Sequence, residues 1–192
     1  EYRTATLAAA RDGSDRTAAF SKNLQRRLAA QWPIVRARWK MLAQSIDYGF
    51  NWSDERIDLS ITDELWKGDP FQMTVHSDRG WQSTGVRFAP GMKLKLSADG
   101  NCILNDQPKP WVSKPPGVTI HYAGDRPLGQ LLVCVLPNKT GEQEFLEPLR
   151  IEAVESNLEV VFEKHCWVLF RINDYLGDRG NNRGGYSVTV SR

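Results

Sequence analysis

The chain has 192 residues, of which 41% are hydrophobic and 25% are charged. This composition is typical of a globular protein with one core and room for a small accessory element. No apolar run approaches the length of a membrane span, which excludes a helical membrane protein. The charge is uneven, because residues 1–50 hold nine Lys and Arg against four Asp and Glu, whereas the remainder holds sixteen against nineteen.

Two helices are predicted in the basic N-terminal part, at about residues 14–31 and 33–46. Apolar residues recur there at helical spacing, and Pro33 separates the helices because proline suits a first turn and breaks an interior. The outer faces carry Arg26, Arg27, Arg36, Arg38 and Lys40. These basic residues are not interleaved with an aromatic stacking platform, so we interpret them as a solvated face and predict no nucleic-acid binding.

From Trp52 onward apolar and polar residues alternate with the period of β-strands. Short strands are predicted at residues 57–61, 71–75, 86–88, 93–97, 118–122, 131–136, 149–154, 158–162, 167–172 and 186–190. Turn residues such as Asp99-Gly100 separate them. Many short strands without an intervening helix favour an antiparallel β-sandwich. We therefore divide the chain into a helical extension, residues 1–50, and a β-sandwich domain, residues 51–192.

The cysteines do not predict a metal or catalytic site. Cys102, Cys134 and Cys166 lack metal-binding spacing and lie among apolar strand residues, so we interpret them as buried small hydrophobic residues, with one disulfide left open. His165 and Cys166 are neighbours on a strand, and their side chains should point to opposite faces.

Two loops are candidates for function. The connection at residues 105–117 contains four prolines and Trp111 and is too long for a simple hairpin, and such loops are often functional. The polar loop before the last strand carries Asp174, Asp178, Asn181 and Asn182 at offsets of 0, 4, 7 and 8. Calcium takes six to eight oxygen ligands of these kinds. The same residues also form ordinary turns, so spacing alone leaves a calcium loop and a plain turn as alternatives.

The glycine and asparagine frame of this last loop carries a family resemblance. Residues 173–184 read Asn-Asp-Tyr-Leu-Gly-Asp-Arg-Gly-Asn-Asn-Arg-Gly and lead into a Tyr-Ser-Val strand. This segment resembles the C-terminal signature of the pseudomonad galactophilic lectins, which has Asn-Asp, a Gly three residues on, Gly-Asn-Asn, a further Gly and an aromatic-Ser-Val strand. Weaker similarities at Trp66-Lys67-Gly68 and Pro116-Gly117 extend the resemblance to about residues 65–192.

The resemblance implies a mainly β, jelly-roll β-sandwich of the galactose-binding domain-like type with one calcium ion at its end. In that family the Asp, the two Asn side chains and backbone carbonyls bind the ion, and two galactose hydroxyls complete its shell. Calcium and sugar hydroxyls suit each other because both prefer hard oxygen partners. The metal ligands carried over are Asp174, Asn181 and Asn182 by side chain, Asp178 in place of a threonine, and a carbonyl near Leu104.

The part of the family site that contacts the sugar differs in this chain. The family's His-Pro-x-Gln-Gly is replaced by residues 113–117, Ser-Lys-Pro-Pro-Gly. Asp178 adds a carboxylate that should tighten calcium binding but also fill space for a sugar hydroxyl. The rings of Tyr175 and Trp111 either stack on a sugar face or cover the core. The predicted sugar-binding set is Asp174, Tyr175, Asn181, Asn182, Trp111, Lys114 and Pro115.

The predicted function is that of a calcium-dependent, lectin-like carbohydrate-binding module, with galactose or a related sugar as its ligand and no catalysis of its own. The alternative is a structural or protein-interaction module that has lost sugar binding, including an accessory domain of a larger enzyme. No nucleophile elbow, phosphate loop or dinucleotide fingerprint is present. The oligomeric state stays open. The chain begins at Glu1 rather than Met, so the compartment is open as well, and an extracytoplasmic or secreted location is one option.

Overall fold

The chain divides into two compact units, Glu1–Lys40, which holds most of the N-terminal helical part, and Met41–Arg192, which holds the β domain. The structure, a computed structural model, describes residues 16–28, 31–43, 64–137, 149–175 and 177–192. The predicted boundary between residues 50 and 51, and the predicted strand at residues 57–61, lie outside these ranges. Both therefore stay predictions.

The helical part contains the two predicted helices in shorter form. α1 spans Arg16–Arg27 and α2 spans Trp32–Ala43, and Pro33 lies in the first turn of α2, where its missing N–H costs nothing. Arg26 and Arg27 occupy the last turn of α1, where positive charge interacts favourably with the helix dipole. Of the other predicted helical residues, Leu28 and Gln31 are turn residues, and residues 14–15, 29–30 and 44–46 lie outside the described residues.

The described part of the β domain contains eleven strands. They are β1 Phe71–His76, β2 Gln82–Phe88, β3 Lys93–Ile103, β4 Val112–Ser113, β5 Val118–Ala123, β6 Arg126–Leu128, β7 Leu131–Pro137, β8 Arg150–Ala153, β9 Asn157–Val161, β10 Cys166–Ile172 and β11 Arg183–Ser191.

These strands form two antiparallel sheets and a hairpin. One sheet has the order β1-β11-β3-β4, with β9 also paired to β3, and the other has the order β2-β10-β7-β8. β5 and β6 form the hairpin. Alternate residues of β11, among them Val188 and Val190, share one hydrophobic core with Val168 and Phe170 of β10. The predicted mainly β, antiparallel fold is confirmed and is consistent with a β-sandwich.

The central strands of the second sheet are buried on both faces. Cys166 to Phe170 in β10 are buried without interruption, as are Leu131 to Cys134 in β7. Strands covered on both sides are expected to be continuous apolar runs rather than alternating ones, which explains their sequence.

One predicted turn is wrong. Asp99-Gly100 does not end a strand, because β3 continues through Gly100 to Ile103 in register with β11. Gly100 has a φ of +103°, a conformation that glycine adopts without steric cost. The short strands β4 and β6 were not predicted, because two or three residues are too few to show a period.

The cysteines are buried and free, which confirms their predicted role as small core residues and leaves no disulfide among them. His165 is exposed whereas Cys166 is buried, as expected for neighbours on opposite faces. No helix in the described ranges is both long enough and apolar enough to cross a membrane.

Candidate functional site

The polar C-terminal loop crosses from one sheet to the other. It leaves β10, which is held by β7, and enters β11, which is held by β1 and β3. Between them a short 3-10 helix spans Arg179–Asn181. Because both flanking strands are fixed by their neighbours, the first and last residues of the loop are brought together at one end of the sandwich.

Asp174 and Asn182 meet in this loop. The Nδ2 atom of Asn182 donates to Oδ2 of Asp174 at 2.7 Å and to the carbonyl of Ser77 at 3.0 Å. Both partners are acceptors, which fixes the orientation of the amide group. Its Oδ1 atom is therefore turned away from them. This oxygen is buried and has no hydrogen-bond partner among the described residues, an arrangement that is rare in native proteins and calls for a missing partner.

Asp174 is buried in surroundings that disfavour its charge. Burial raises the pKa of its carboxyl group because a charged carboxylate loses hydration. Hydrogen bonds from Asn182 and from the Tyr175 backbone oppose the rise in pKa, as does the attraction of Arg179, whereas Asp178 adds to it. The carboxylate would therefore be stabilised by a further positive charge.

Leu104 follows the end of the β3–β11 ladder, as Asn182 precedes it on the other strand. Ile103 and Arg183 form the last pair of the β3–β11 ladder, so Leu104 and Asn182 are the first residues beyond it. The Leu104 side chain is buried, and its N–H donates to the carbonyl of Trp111 at 2.9 Å. That its own carbonyl binds a metal stays a prediction.

Asp178 and Asn181 lie on the exposed side of the same turn. The N–H of Asp178 donates to the carbonyl of Tyr175 at 3.1 Å. No cluster of three His, Cys, Asp or Glu side chains occurs within the described ranges, and the predicted ligand set holds only two acids. Amide and backbone oxygens would have to supply the rest. Such an all-oxygen set, with one orphaned amide oxygen, is compatible with calcium.

A buried arginine accompanies the acids and was not foreseen. Arg179 is fully buried. From the sequence we would expect it to be exposed, because it stands between Asp178 and Gly180 in a polar turn. Its carbonyl accepts the N–H of Asn182 at 3.1 Å. Its positive charge partly compensates the negative charge of Asp174. A bound metal ion would therefore interact with a carboxylate that also interacts with this guanidinium group.

Three aromatic side chains lie beside the loop. The ring of His121 is 5.1 Å from that of Trp111 and 6.4 Å from that of Tyr175, measured between centroids, with an interplanar angle of 76° in both pairs. The hydroxyl of Tyr175 donates to the carbonyl of Tyr122 at 2.6 Å. The predicted residues Trp111 and Tyr175 are thus connected through His121, which sequence reasoning missed because nothing in its spacing signals this contact.

Asn173 attaches the β5–β6 hairpin to the loop. Its Nδ2 atom lies 3.0–3.1 Å from the carbonyls of Ala123, Arg126 and Pro127. Its backbone carbonyl accepts the N–H of Gly129 at 2.7 Å. Asn173, directly before Asp174, therefore has a structural role, which the sequence motif did not indicate.

Lys114 and Pro115 differ in exposure. Lys114 is exposed, and its carbonyl accepts bonds from the Tyr186 hydroxyl at 2.9 Å and the Gly117 N–H at 2.8 Å. Pro115 is buried, and its carbonyl accepts the N–H of Leu131 at 2.8 Å. These bonds fix the backbone of the segment. Contact of either side chain with a sugar stays a prediction.

No family model and no curated protein matches the chain. Among solved structures it is similar to the EclA N-terminal domain, described as a PllA-like lectin, at 14% identity over 64% of this chain and 95% of that one, with a TM-score of 0.47. It is also similar to PliG of Aeromonas hydrophila, a periplasmic inhibitor of g-type lysozyme, at 8% identity over 68% and 96%, with a TM-score of 0.31. Both TM-scores lie below 0.5, so neither similarity supports a conclusion about function.

Proposed function

We propose that the β domain is a calcium-dependent carbohydrate-binding module and that galactose or a related sugar is its ligand. The observation that carries the proposal is the buried Oδ1 atom of Asn182, which has no hydrogen-bond partner among the described residues and lies on the amide group that holds Asp174. Leaving such an oxygen without a partner is costly. A bound cation would supply the partner.

Calcium suits this position better than a softer metal. The predicted metal ligands are the carboxylates and amides of Asp174, Asp178, Asn181 and Asn182, with a backbone carbonyl near Leu104. Hard oxygen ligands select calcium, whereas zinc and copper prefer nitrogen and sulfur. When bound, the ion would stabilise the Asp174 carboxylate and polarise the oxygens of a ligand.

A sugar could reach the ion from the exposed side of the turn. Asp178 and Asn181 are exposed, whereas Asp174 and Asn182 are buried. Asp174 and Asn182 would therefore bind the ion from the buried side of the turn. Positions for two neighbouring hydroxyls would remain on its exposed side, beside Asp178 and Asn181. The role proposed here is binding alone, with no chemical step.

Calcium titration of the purified protein tests the metal half of the proposal. A ligand that binds only the folded state stabilises it by about 2.7 kcal/mol at one hundred times its Kd. For a domain of this size we expect a rise in Tm of about 5–10 °C, followed by galactose binding that is lost in EDTA. An unchanged Tm at millimolar calcium would contradict the proposal.

The matched variants are Asp174→Asn and Asp99→Asn. The first keeps the shape of the side chain but removes the charge, and because burial already disfavours that charge, we expect it to fold and to lose the calcium response. The second makes the same charge change at an exposed position on β3 and should retain the response. A normal calcium response in Asp174→Asn would remove Asp174 from the site.

A protein-interaction module is the second candidate, and one observation favours it. Ile120 and Val112, which flank the aromatic residues, are 86% and 56% exposed, and exposed apolar patches often mark protein contacts. Calcium binding without binding to any sugar on a glycan array would select this function over the first.

A further inference from the structure

Trp111, His121 and Tyr175 form a continuous row of rings at the surface, here called the aromatic shelf. Trp111 is 38% and Tyr175 46% exposed, and His121 between them is exposed as well. Each outer ring meets His121 edge to face, a favourable aromatic geometry. Both outer rings are therefore accessible to a ligand.

The shelf is held in place before any ligand arrives. The Tyr175 hydroxyl is bound to the Tyr122 carbonyl. The backbone of Trp111 is fixed at both ends, since its N–H donates to Asn105 at 2.7 Å and its carbonyl accepts from Leu104 at 2.9 Å. A preorganised surface loses little conformational entropy on binding.

The shelf begins at the proposed calcium loop. Tyr175 follows Asp174 directly, and its N–H donates to Oδ1 of Asp174 at 2.7 Å. A molecule that binds the calcium loop through its hydroxyls can therefore extend over Tyr175 toward His121 and Trp111.

The neighbouring polar groups indicate what the shelf binds. Its rings offer apolar faces with a negative quadrupole, which attract polarised C–H groups, whereas Asp178 and Asn181 offer oxygens at the adjoining turn. A pyranose has both features, one face of C–H groups and a rim of hydroxyls, and an apolar peptide lacks the second. The rings of Trp111 and Tyr175 lie 5.1 Å and 6.4 Å from that of His121, centroid to centroid, so the shelf extends beyond Tyr175, the residue next to the calcium loop.

We propose that the aromatic shelf binds the apolar face of a second pyranose, so that the ligand is an oligosaccharide rather than a single sugar. This inference rests on the proposed function, which places the first sugar at the calcium loop. Calcium sets the position of the first sugar, and the aromatic shelf selects the second sugar attached to it.

Calorimetry at saturating calcium tests the inference, with galactose and galactose-terminated di- and trisaccharides as probes. We expect the best oligosaccharide to bind at least tenfold more tightly than galactose. Trp111→Ala should remove about tenfold of that affinity, should weaken oligosaccharides more than galactose, and should leave the Kd for calcium unchanged. Trp111→Phe, which keeps a ring, should retain part of the gain, and Val112→Ala, a neighbouring exposed apolar residue, should retain all of it.

The outcomes separate the inference from the proposed function. If every oligosaccharide binds as weakly as galactose, or if Trp111→Ala weakens galactose and oligosaccharides equally, the second sugar position is wrong and the calcium-dependent sugar site stands. If the unmodified protein binds neither calcium nor any of the sugars, the proposed function itself fails. Loss of the calcium response in Trp111→Ala would assign Trp111 a structural role and overturn the shelf.

Discussion

Tyr186 shows how a single residue supports the site from behind. It is fully buried on β11, and its hydroxyl lies 2.7 Å from the carbonyl of Gly129 and 2.9 Å from that of Lys114. It also accepts from the Cys102 thiol at 3.3 Å. Burial raises the pKa of Tyr186, so the hydroxyl remains a donor. Gly129 and Lys114 belong to segments on either side of the β5–β6 hairpin, and Tyr186 joins both to β11.

We expect Tyr186→Phe to lower the free energy of unfolding by about 1–3 kcal/mol, because the change removes the hydroxyl donor from the buried carbonyl of Gly129. Urea denaturation measures the loss. Tyr122→Phe is the matched control, since this tyrosine is exposed and its substitution should stay within about 0.5 kcal/mol. Equal effects of the two changes would mean that the Tyr186 hydroxyl adds nothing to stability.

At the scale of elements, the β5–β6 hairpin depends on the C-terminal loop. Outside its own pairing, it is attached by the Asn173 amide, which reaches three hairpin carbonyls, and by the Tyr175 hydroxyl, which donates to the Tyr122 carbonyl. His121 stands on β5, so the position of the aromatic shelf follows from this attachment. The C-terminal loop and the aromatic shelf are thus parts of one structure, although they come from distant segments of the sequence.

Asn173→Ala should loosen the hairpin without unfolding the sheets. The change removes the donor to three carbonyls, for which we expect a loss of about 1–3 kcal/mol, together with faster hydrogen exchange of the amides at residues 118–128. Asn101→Ala on β3, an exposed position, should leave that exchange unchanged. Unaltered exchange in Asn173→Ala would show that other contacts hold the hairpin.

The sequence predicts these elements unequally, for physical reasons. Alternation locates β1 and β11, and continuous apolar runs locate β7 and β10, because burial on one or both faces leaves a local pattern. Of the candidate site, the frame of the C-terminal loop groups Asp174 with Asn182, which are hydrogen-bonded in the structure, whereas their binding of a metal stays a prediction. The burial of Arg179 and the contact of His121 with Trp111 and Tyr175 follow from tertiary packing, which no local pattern records.

At the scale of the whole molecule, the three free cysteines report on the integrity of the core. They lie on β3, β7 and β10, which belong to both sheets, and all are buried. Burial raises the pKa of Cys102 to about 11 and that of Cys166 to about 12, from an ordinary value of 9.0. Only the thiolate reacts readily with disulfide reagents, so native thiols should be both inaccessible and protonated.

This burial makes the folded state sensitive to alkaline pH. In the unfolded chain the thiols ionise near pH 9, whereas in the folded protein Cys102 and Cys166 keep their protons until about pH 11–12. Between these values the folded state binds more protons, so stability falls as pH rises.

We expect no reaction with Ellman's reagent at pH 8 without denaturant, three reactive thiols in urea, and a urea midpoint that falls from pH 8 to pH 10. Cys166→Ala should be less stable at pH 8 but should show a shallower fall. Rapid labelling of the native protein would contradict the buried positions of these thiols, and a midpoint independent of pH would contradict their raised pKa values.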